Sequence, residues 1–323
     1  MGFRTFRRQA AALYRAFKSP MIESRSNQIF LYFGPQTGEP VKGRKWLRRL
    51  VVVVFLGAAT WALYVWSNRR EPQGPTEIFR GISYGCILLE TTDEGSGLLH
   101  WVRIDLTAPG IELYVTALDP SALAEGWQYR LRRTEGVVES EHLAVAINGT
   151  MFTSNSVWLR MSGDLAKSVE TVVADHIVNH LWEHTYLLWF DDGLTPYLKP
   201  SKPPTTADLA LAKFGIGGQG VGLQDGRVWP GSSRAPDSRT AVAIDQRRKV
   251  LFLAVGEYIS PRLLLEKLAG LGAKEGMLLD GGGSSSMVIG EDAHGIRPGV
   301  LHGGWRPVAT HFGVRARPVN ARE

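Results

Sequence analysis

The chain has 323 residues, 44% hydrophobic and 21% charged, a composition that excludes a disordered chain, a collagen-like repeat and a minimal disulfide scaffold. Its formal charge of +6 comes from one end: residues 1–49 hold eleven Lys and Arg against Glu23 and Glu39, so the remainder sums to −3. The folded part therefore gives no reason to expect a nucleic-acid partner, and the single cysteine, Cys86, excludes an intramolecular disulfide.

In chain order, Phe3, Phe6, Ala10, Leu13 and Phe17 recur at helical intervals among basic residues. That spacing fits a helix lying on an anionic leaflet and fits a solvated basic tail equally. From Leu50 to Trp66 seventeen residues carry no charge, which at about 1.5 Å per residue is about 25 Å of helix, the short end of a membrane span. Trp46, Trp61, Tyr64 and Trp66 suit the headgroup level. Five Lys and Arg lie in the eight residues before Leu50, and only Arg69 and Arg70 follow closely. The positive-inside bias then predicts a cytoplasmic tail (1–49) and an uncleaved signal anchor (50–66) crossing the lipid bilayer of the cytoplasmic membrane once, with the remainder outside. The SNRREPQ segment lacks a small-x-small cleavage pattern, and Arg48 and Arg49 admit only a weak twin-arginine reading.

Residues 67–77, with Pro72, Gly74 and Pro75, have linker composition. A single domain is expected over 78–318, ahead of a short tail (319–323). HWVRIDL, IELYVTAL, EHLAVAI, RTAVAID and KVLFLAV read as strands. SPRLLLEKLAGLG has leucines at helical spacing, Ser260 and Pro261 in the cap and first-turn positions, and a closing glycine. The class expected is α+β, with a mixed, strand-rich sheet and few helices.

The most specific local chemistry lies in MLLDGGGSSSMVI. An apolar run ending in Asp280 and entering Gly281, Gly282 and Gly283 places a carboxylate at a strand end beside backbone that no Cβ obstructs. Three glycines let amides converge into an anion-binding nest, and the hydroxyls of Ser284, Ser285 and Ser286 add donors. Such a corner suits phosphate or a sugar phosphate. Neither a P-loop nor a dinucleotide fingerprint is present. Arg239, opening RTAVAID, and Arg306, in HGGWRPVATHFGV, can each grip a phosphate with two hydrogen bonds. Asn148 and Gly149 end the strand of AVAINGTMF and suit a turn or a polar ligand contact.

The order of RIDLTAPGIELYVT, AINGTMF, SRTAVAID, LLDGGGSSSMV and RPVATHFGV resembles the phosphodiester glycosidase family, from about Leu98 to Arg315. The glycine-serine segment is the most specific piece. The resemblance implies hydrolysis of a sugar phosphodiester, with Asp280 catalytic and Asn148, Gly149, Arg239, Thr240, Gly281, Gly282, Gly283, Ser284 and Arg306 binding substrate. The chain departs from the family pattern at Thr150 and Met151 and at Trp305, where members often carry Glu.

In a sugar-1-phosphodiester the group leaving C1 is already a weak base, so one well-placed carboxylate could suffice. Asp280 is expected to act at the anomeric carbon, as nucleophile or as base to water, with no cofactor. The expected partner is a sugar-1-phosphodiester or phosphorylated glycan of an envelope or exported polymer. Two other readings compete: a non-catalytic glycan-phosphate binding module, and a metal-dependent phosphodiesterase. The latter would use His176, His180 and His184, which recur every fourth residue. On a helix these could share one metal, whereas on a strand, the conformation their neighbours favour, they could not.

Overall fold

A computed structural model describes residues 50–60, 73–156, 160–182, 186–198, 204–229 and 235–320. The chain divides into two compact units, Met1–Asn68 and Arg69–Glu323. Of the first, residues 50–60 are described, and they are helical with exposed side chains. No helix among the described residues is long and apolar enough to cross a membrane; the end of the expected span, residues 61–66, lies outside them.

The second unit is built from sheets. Val250–Ile259 illustrates why its strands read as continuous apolar runs: it pairs with Gly95–Asp105 on one side and Asp237–Asp245 on the other, and its first seven residues are all buried. A strand covered on both faces has no solvent side to mark with polar residues. Side chains nevertheless alternate between two cores. Leu251, Leu253 and Val255 join one cluster with Val242, Ile244 and Met277. Val250, Phe252 and Ala254 join another with Ala241, Ala243 and the helical Leu264, Leu265 and Leu268.

The large sheet orders its main strands Gln73–Phe79, Ile82–Leu89, Gly95–Asp105, Val250–Ile259, Asp237–Asp245, Ala273–Leu278, Phe214–Gln224, Tyr186–Phe190 and Pro196–Leu198. The first of these begins inside the stretch with linker composition. A second sheet runs Gly299–His302, Met287–Ile289, Val145–Asn148, His311–Arg315 and Glu112–Val115, and a third pairs Tyr129–Arg130, Leu165–Ser168 and Phe152–Ser154. The strand-rich α+β class is therefore found, but as three sheets whose described pairs are all antiparallel. The parallel relation implied by strand, helix, strand survives between Val250–Ile259 and Ala273–Leu278, which flank Asp237–Asp245 and both run antiparallel to it.

The helix joining those two strands forms where the sequence predicts. Pro261–Gly270 starts at Ser260, whose hydroxyl accepts from the Leu263 amide at 3.1 Å, and its leucines at 264, 265 and 268 are fully buried. The inner face of the large sheet shares one core with the second sheet through Val145, Ile147, Phe312 and Val314. The chain passes between these two sheets at residues 279–286, from Ala273–Leu278 in one to Met287–Ile289 in the other. The Asp-Gly-Gly-Gly segment is that crossing point.

Candidate active site

Leaving the large sheet, the Leu279 amide donates to the Thr240 carbonyl at 2.9 Å, and the Asp280 amide donates to the Gly149 carbonyl at 3.1 Å. Asp280 thus bridges the ends of two sheets. The glycines then close a short 3-10 turn, Gly282–Ser284. Its amide geometry differs from an open nest: the Gly281 amide donates to the Asp280 carboxylate at 3.0 Å, and those of Ser284 and Ser285 donate to the carbonyls of Gly281 and Gly282. Gly282 has φ +60°, the left-handed region that glycine enters without strain.

The absent side chains make room for guanidinium groups. A Cβ at Gly281 would lie 3.2 Å from Arg239 Nη1, and one at Gly283 would lie 3.1 Å from Arg306 Nη1. Arg239 donates from Nη2 to the Ala235 carbonyl at 2.9 Å, while its Nε is buried and unpartnered among the described residues. A buried N–H without an acceptor is costly unless a ligand completes it, and an anionic oxygen would do so.

Asn148 is the frame of the corner. It is fully buried, and its Oδ1 accepts from Thr240 Oγ1 at 2.7 Å and from the Ser286 amide at 3.0 Å. Its Nδ2 donates to the Asp280 carbonyl at 2.8 Å, with a longer approach to the Gly149 carbonyl at 3.4 Å. These bonds use the amide group's hydrogen-bonding capacity inside the protein. Gly149 fits because a Cβ there would lie 2.4 Å from Thr310 Oγ1. Replacing Asn148 by Ala orphans three buried groups, so a loss of about 3 kcal/mol or more is expected from urea unfolding; a loss below about 1 kcal/mol would show that the frame tolerates the gap.

All ten residues expected at the site join one cluster, with Ser284 as a hydrogen-bond partner of the Asp280 carboxyl. Two further residues come to it that no motif marked. Arg160 acts electrostatically on both Asp280 and Arg306, and its guanidinium carbon sits 4.6 Å above the Phe152 ring. Glu170, only 5% exposed, follows the third-sheet strand Leu165–Ser168. Its backbone is held by a hydrogen bond from Ser168 Oγ to its carbonyl at 2.9 Å, while its Oε2 is buried without a partner among the described residues.

The two carboxyl groups are tuned differently. Burial pushes Asp280 above the ordinary aspartate range, opposed by the Ser284 hydroxyl, the Gly281 amide and the charges of Arg306 and Arg160. Glu170 is pushed up to about 8, first by burial and then by the Asp280 charge. Near neutrality Glu170 holds its proton while Asp280, with cationic support, is the more readily ionised partner. Such a split assigns different tasks to two acids in one site.

Of the three histidines, His176 and His180 do not share one element. Asp175 and His176 form the left-handed turn of a hairpin between Val172–Ala174 and Ile177–Val178. His176 lies 3.3 Å from Asp192, and His180 Nδ1 lies 3.2 Å from Gln128 Nε2; His184 lies outside the described residues. Among the described residues no group of three or more His, Cys, Asp or Glu is arranged to hold a metal.

Comparison with known proteins bears on the fold and on the family. The structure is similar to the catalytic domain of zebrafish N-acetylglucosamine-1-phosphodiester alpha-N-acetylglucosaminidase, auto-inhibited by its pro-peptide, with a TM-score of 0.53 and 15% identity over 79% of this chain and 93% of that one. It is equally similar to a hypothetical protein from Synechocystis, with a TM-score of 0.53 and 15% identity over 73% of this chain and 62% of that one, so it spans less than two thirds of that protein. At this identity the likeness is one of fold. No curated protein matches the chain. The phosphodiester glycosidase family model matches residues 141–315, over half the sequence and spanning the glycine corner, both carboxyl groups and all three arginines, and the chain belongs to that family.

Proposed function

We propose that the protein is a hydrolase that cleaves the C1–O bond of a sugar-1-phosphodiester, held in the cytoplasmic membrane by residues 50–66 with its catalytic domain outside, acting on an envelope or exported glycan. The observation that carries the chemistry is the Asp280 carboxylate at a sheet crossing, among the guanidinium groups of Arg160, Arg239 and Arg306. The uncharged stretch and its basic flank support the anchor.

Asp280 acts at the anomeric carbon, as nucleophile or as base to the attacking water. As the C1–O bond breaks, its electron pair stays with the phosphate oxygen, and the arginines stabilise the monoester that departs. Water supplies the hydroxyl that remains on C1. Glu170 keeps a proton beside the reacting oxygens and gives it to the departing phosphate oxygen, which lowers the negative charge that Asp280 and the phosphodiester would otherwise gather in one site.

Turnover of a sugar-1-phosphodiester in oxygen-18 water is expected to place the label on the sugar, with none on the phosphate. Label in the phosphate would mean P–O cleavage and would overturn this reading. Binding of the same diesters with no turnover would instead leave a glycan-phosphate binding module on this fold.

A further inference from the structure

Trp305 is 67% exposed, the most exposed aromatic side chain among the described residues of the Arg69–Glu323 unit, and the chain is pinned on either side of it. Gly303 has φ +64°, and a Cβ there would lie 1.8 Å from the Ser285 carbonyl oxygen, so the segment packs directly on the serine run. On the other side, Val308 and Arg132 exchange two backbone hydrogen bonds at 2.9 and 3.0 Å. Between these two pins, the indole and the guanidinium of consecutive residues reach the same glycine. A Cβ on Gly283 would meet Arg306 Nη1 at 3.1 Å and Trp305 Cζ2 at 3.5 Å.

A solvent-facing indole beside a half-buried charged site gains little for folding. It is suited to cover an apolar surface brought by a ligand. We propose that Trp305 is a specificity-determining residue of this site: its ring stacks on the C–H face of the pyranose whose C1 phosphate is held by Arg306. The class of ligand follows from the spacing. A phosphate and the sugar ring esterified to it are separated by one oxygen, and the two protein groups that would take them are separated by the breadth of one glycine. A pyranose also has the right duality, with a hydroxylated rim for water and an apolar face for an aromatic ring. This inference rests on the sugar-1-phosphodiester reading of the site.

The test compares Trp305→Ala and Trp305→Phe with wild type in the full chain. The probes are the methyl phosphodiesters of glucose, galactose and N-acetylglucosamine, each linked at C1, with dimethyl phosphate as the ringless control. Wild type is expected to bind at least one sugar diester more tightly than dimethyl phosphate. Trp305→Ala is expected to raise the Kd for that diester roughly three- to tenfold, in line with the strength of aromatic contacts, and to leave the Kd for dimethyl phosphate unchanged. Trp305→Phe should recover most of the loss. In turnover the effect should fall on KM, with kcat within about twofold.

A Trp305→Ala variant that binds the sugar diester as wild type does would overturn the proposal. So would equal weakening of dimethyl phosphate, which would show that Trp305 merely positions Arg306, and so would wild type showing no preference for the ring. Failure of the hydrolytic reading gives a different pattern: the sugar diester binds and responds to Trp305→Ala, but wild type does not turn it over.

Discussion

Asp280→Asn is expected to lower kcat on a sugar-1-phosphodiester by about a thousandfold or more, because it removes the carboxyl group that acts at the reacting carbon while keeping its shape. The amide can still accept from the Gly281 amide, as the carboxylate does at 3.0 Å, so the corner should stay closed. Stability should not fall. Burial raises the Asp280 pKa in the folded chain, and a carboxyl group raised on folding opposes folding once the pH exceeds its unfolded value. A neutral isostere removes that opposition. The measurement pairs kcat with Tm on the same preparation: an unchanged Tm with kcat within tenfold of wild type would remove Asp280 from the chemistry. A large fall in Tm would instead mark it as a structural residue.

Glu170→Gln is expected to produce opposite changes in stability and activity. The folded pKa of about 8 lies well above the ordinary glutamate value of 4.5. The folded state therefore retains a proton that the unfolded state has released between those values. The stability associated with that proton is complete below about pH 4.5 and is lost as pH rises through about 8. At about 1.4 kcal/mol per pH unit, this amounts to a penalty on the order of 5 kcal/mol at alkaline pH, with little relief from solvent because the side chain is 5% exposed.

Glutamine carries no such penalty, so the variant should unfold at higher urea concentration than wild type at pH 8, and by a smaller margin at pH 5. Activity should move the other way. Wild-type kcat is expected to decline above about pH 8 as Glu170 loses its proton, and the variant to show a kcat about a hundredfold lower without that decline. The loss should be smaller than for Asp280→Asn, since a phosphate leaving group needs little protonation. An alkaline decline that persists unchanged in Glu170→Gln would assign it to another group.

The stabilising and catalytic roles separate along the same lines at Asn148. Its side chain holds Thr240, Ser286 and the Asp280 backbone together and acts on the reaction through the placement of Asp280. The arginines differ in kind. Arg239 has a buried Nε without an acceptor among the described residues, and Arg160 is held near Asp280 although burial and the Arg306 charge both oppose its own protonated form. Positive groups crowded in this way gain most when an anion arrives between them.

The sequence by itself determined the parts whose causes are local. The Pro261–Gly270 helix follows from a serine cap, a first-turn proline and leucines one turn apart, all within a dozen residues. The corner at Asp280 follows from an apolar strand running into three glycines, and the family follows from the order of a few such segments. Only the tertiary structure decided what depends on distant neighbours. Glu170 sits in SVETVVA with nothing beside it to mark it; its raised pKa arises from burial and from the charge of a residue more than a hundred positions later. The division into three sheets was equally hidden, because a strand's apolar pattern records that it is covered and not by which strand. Spacing alone likewise could not place the histidines, since their neighbours turn back as a hairpin at Asp175 and His176. Caps, periodicity and glycine runs act through adjacent bonds, whereas desolvation and Coulomb forces act through space, and only the folded chain sets those distances.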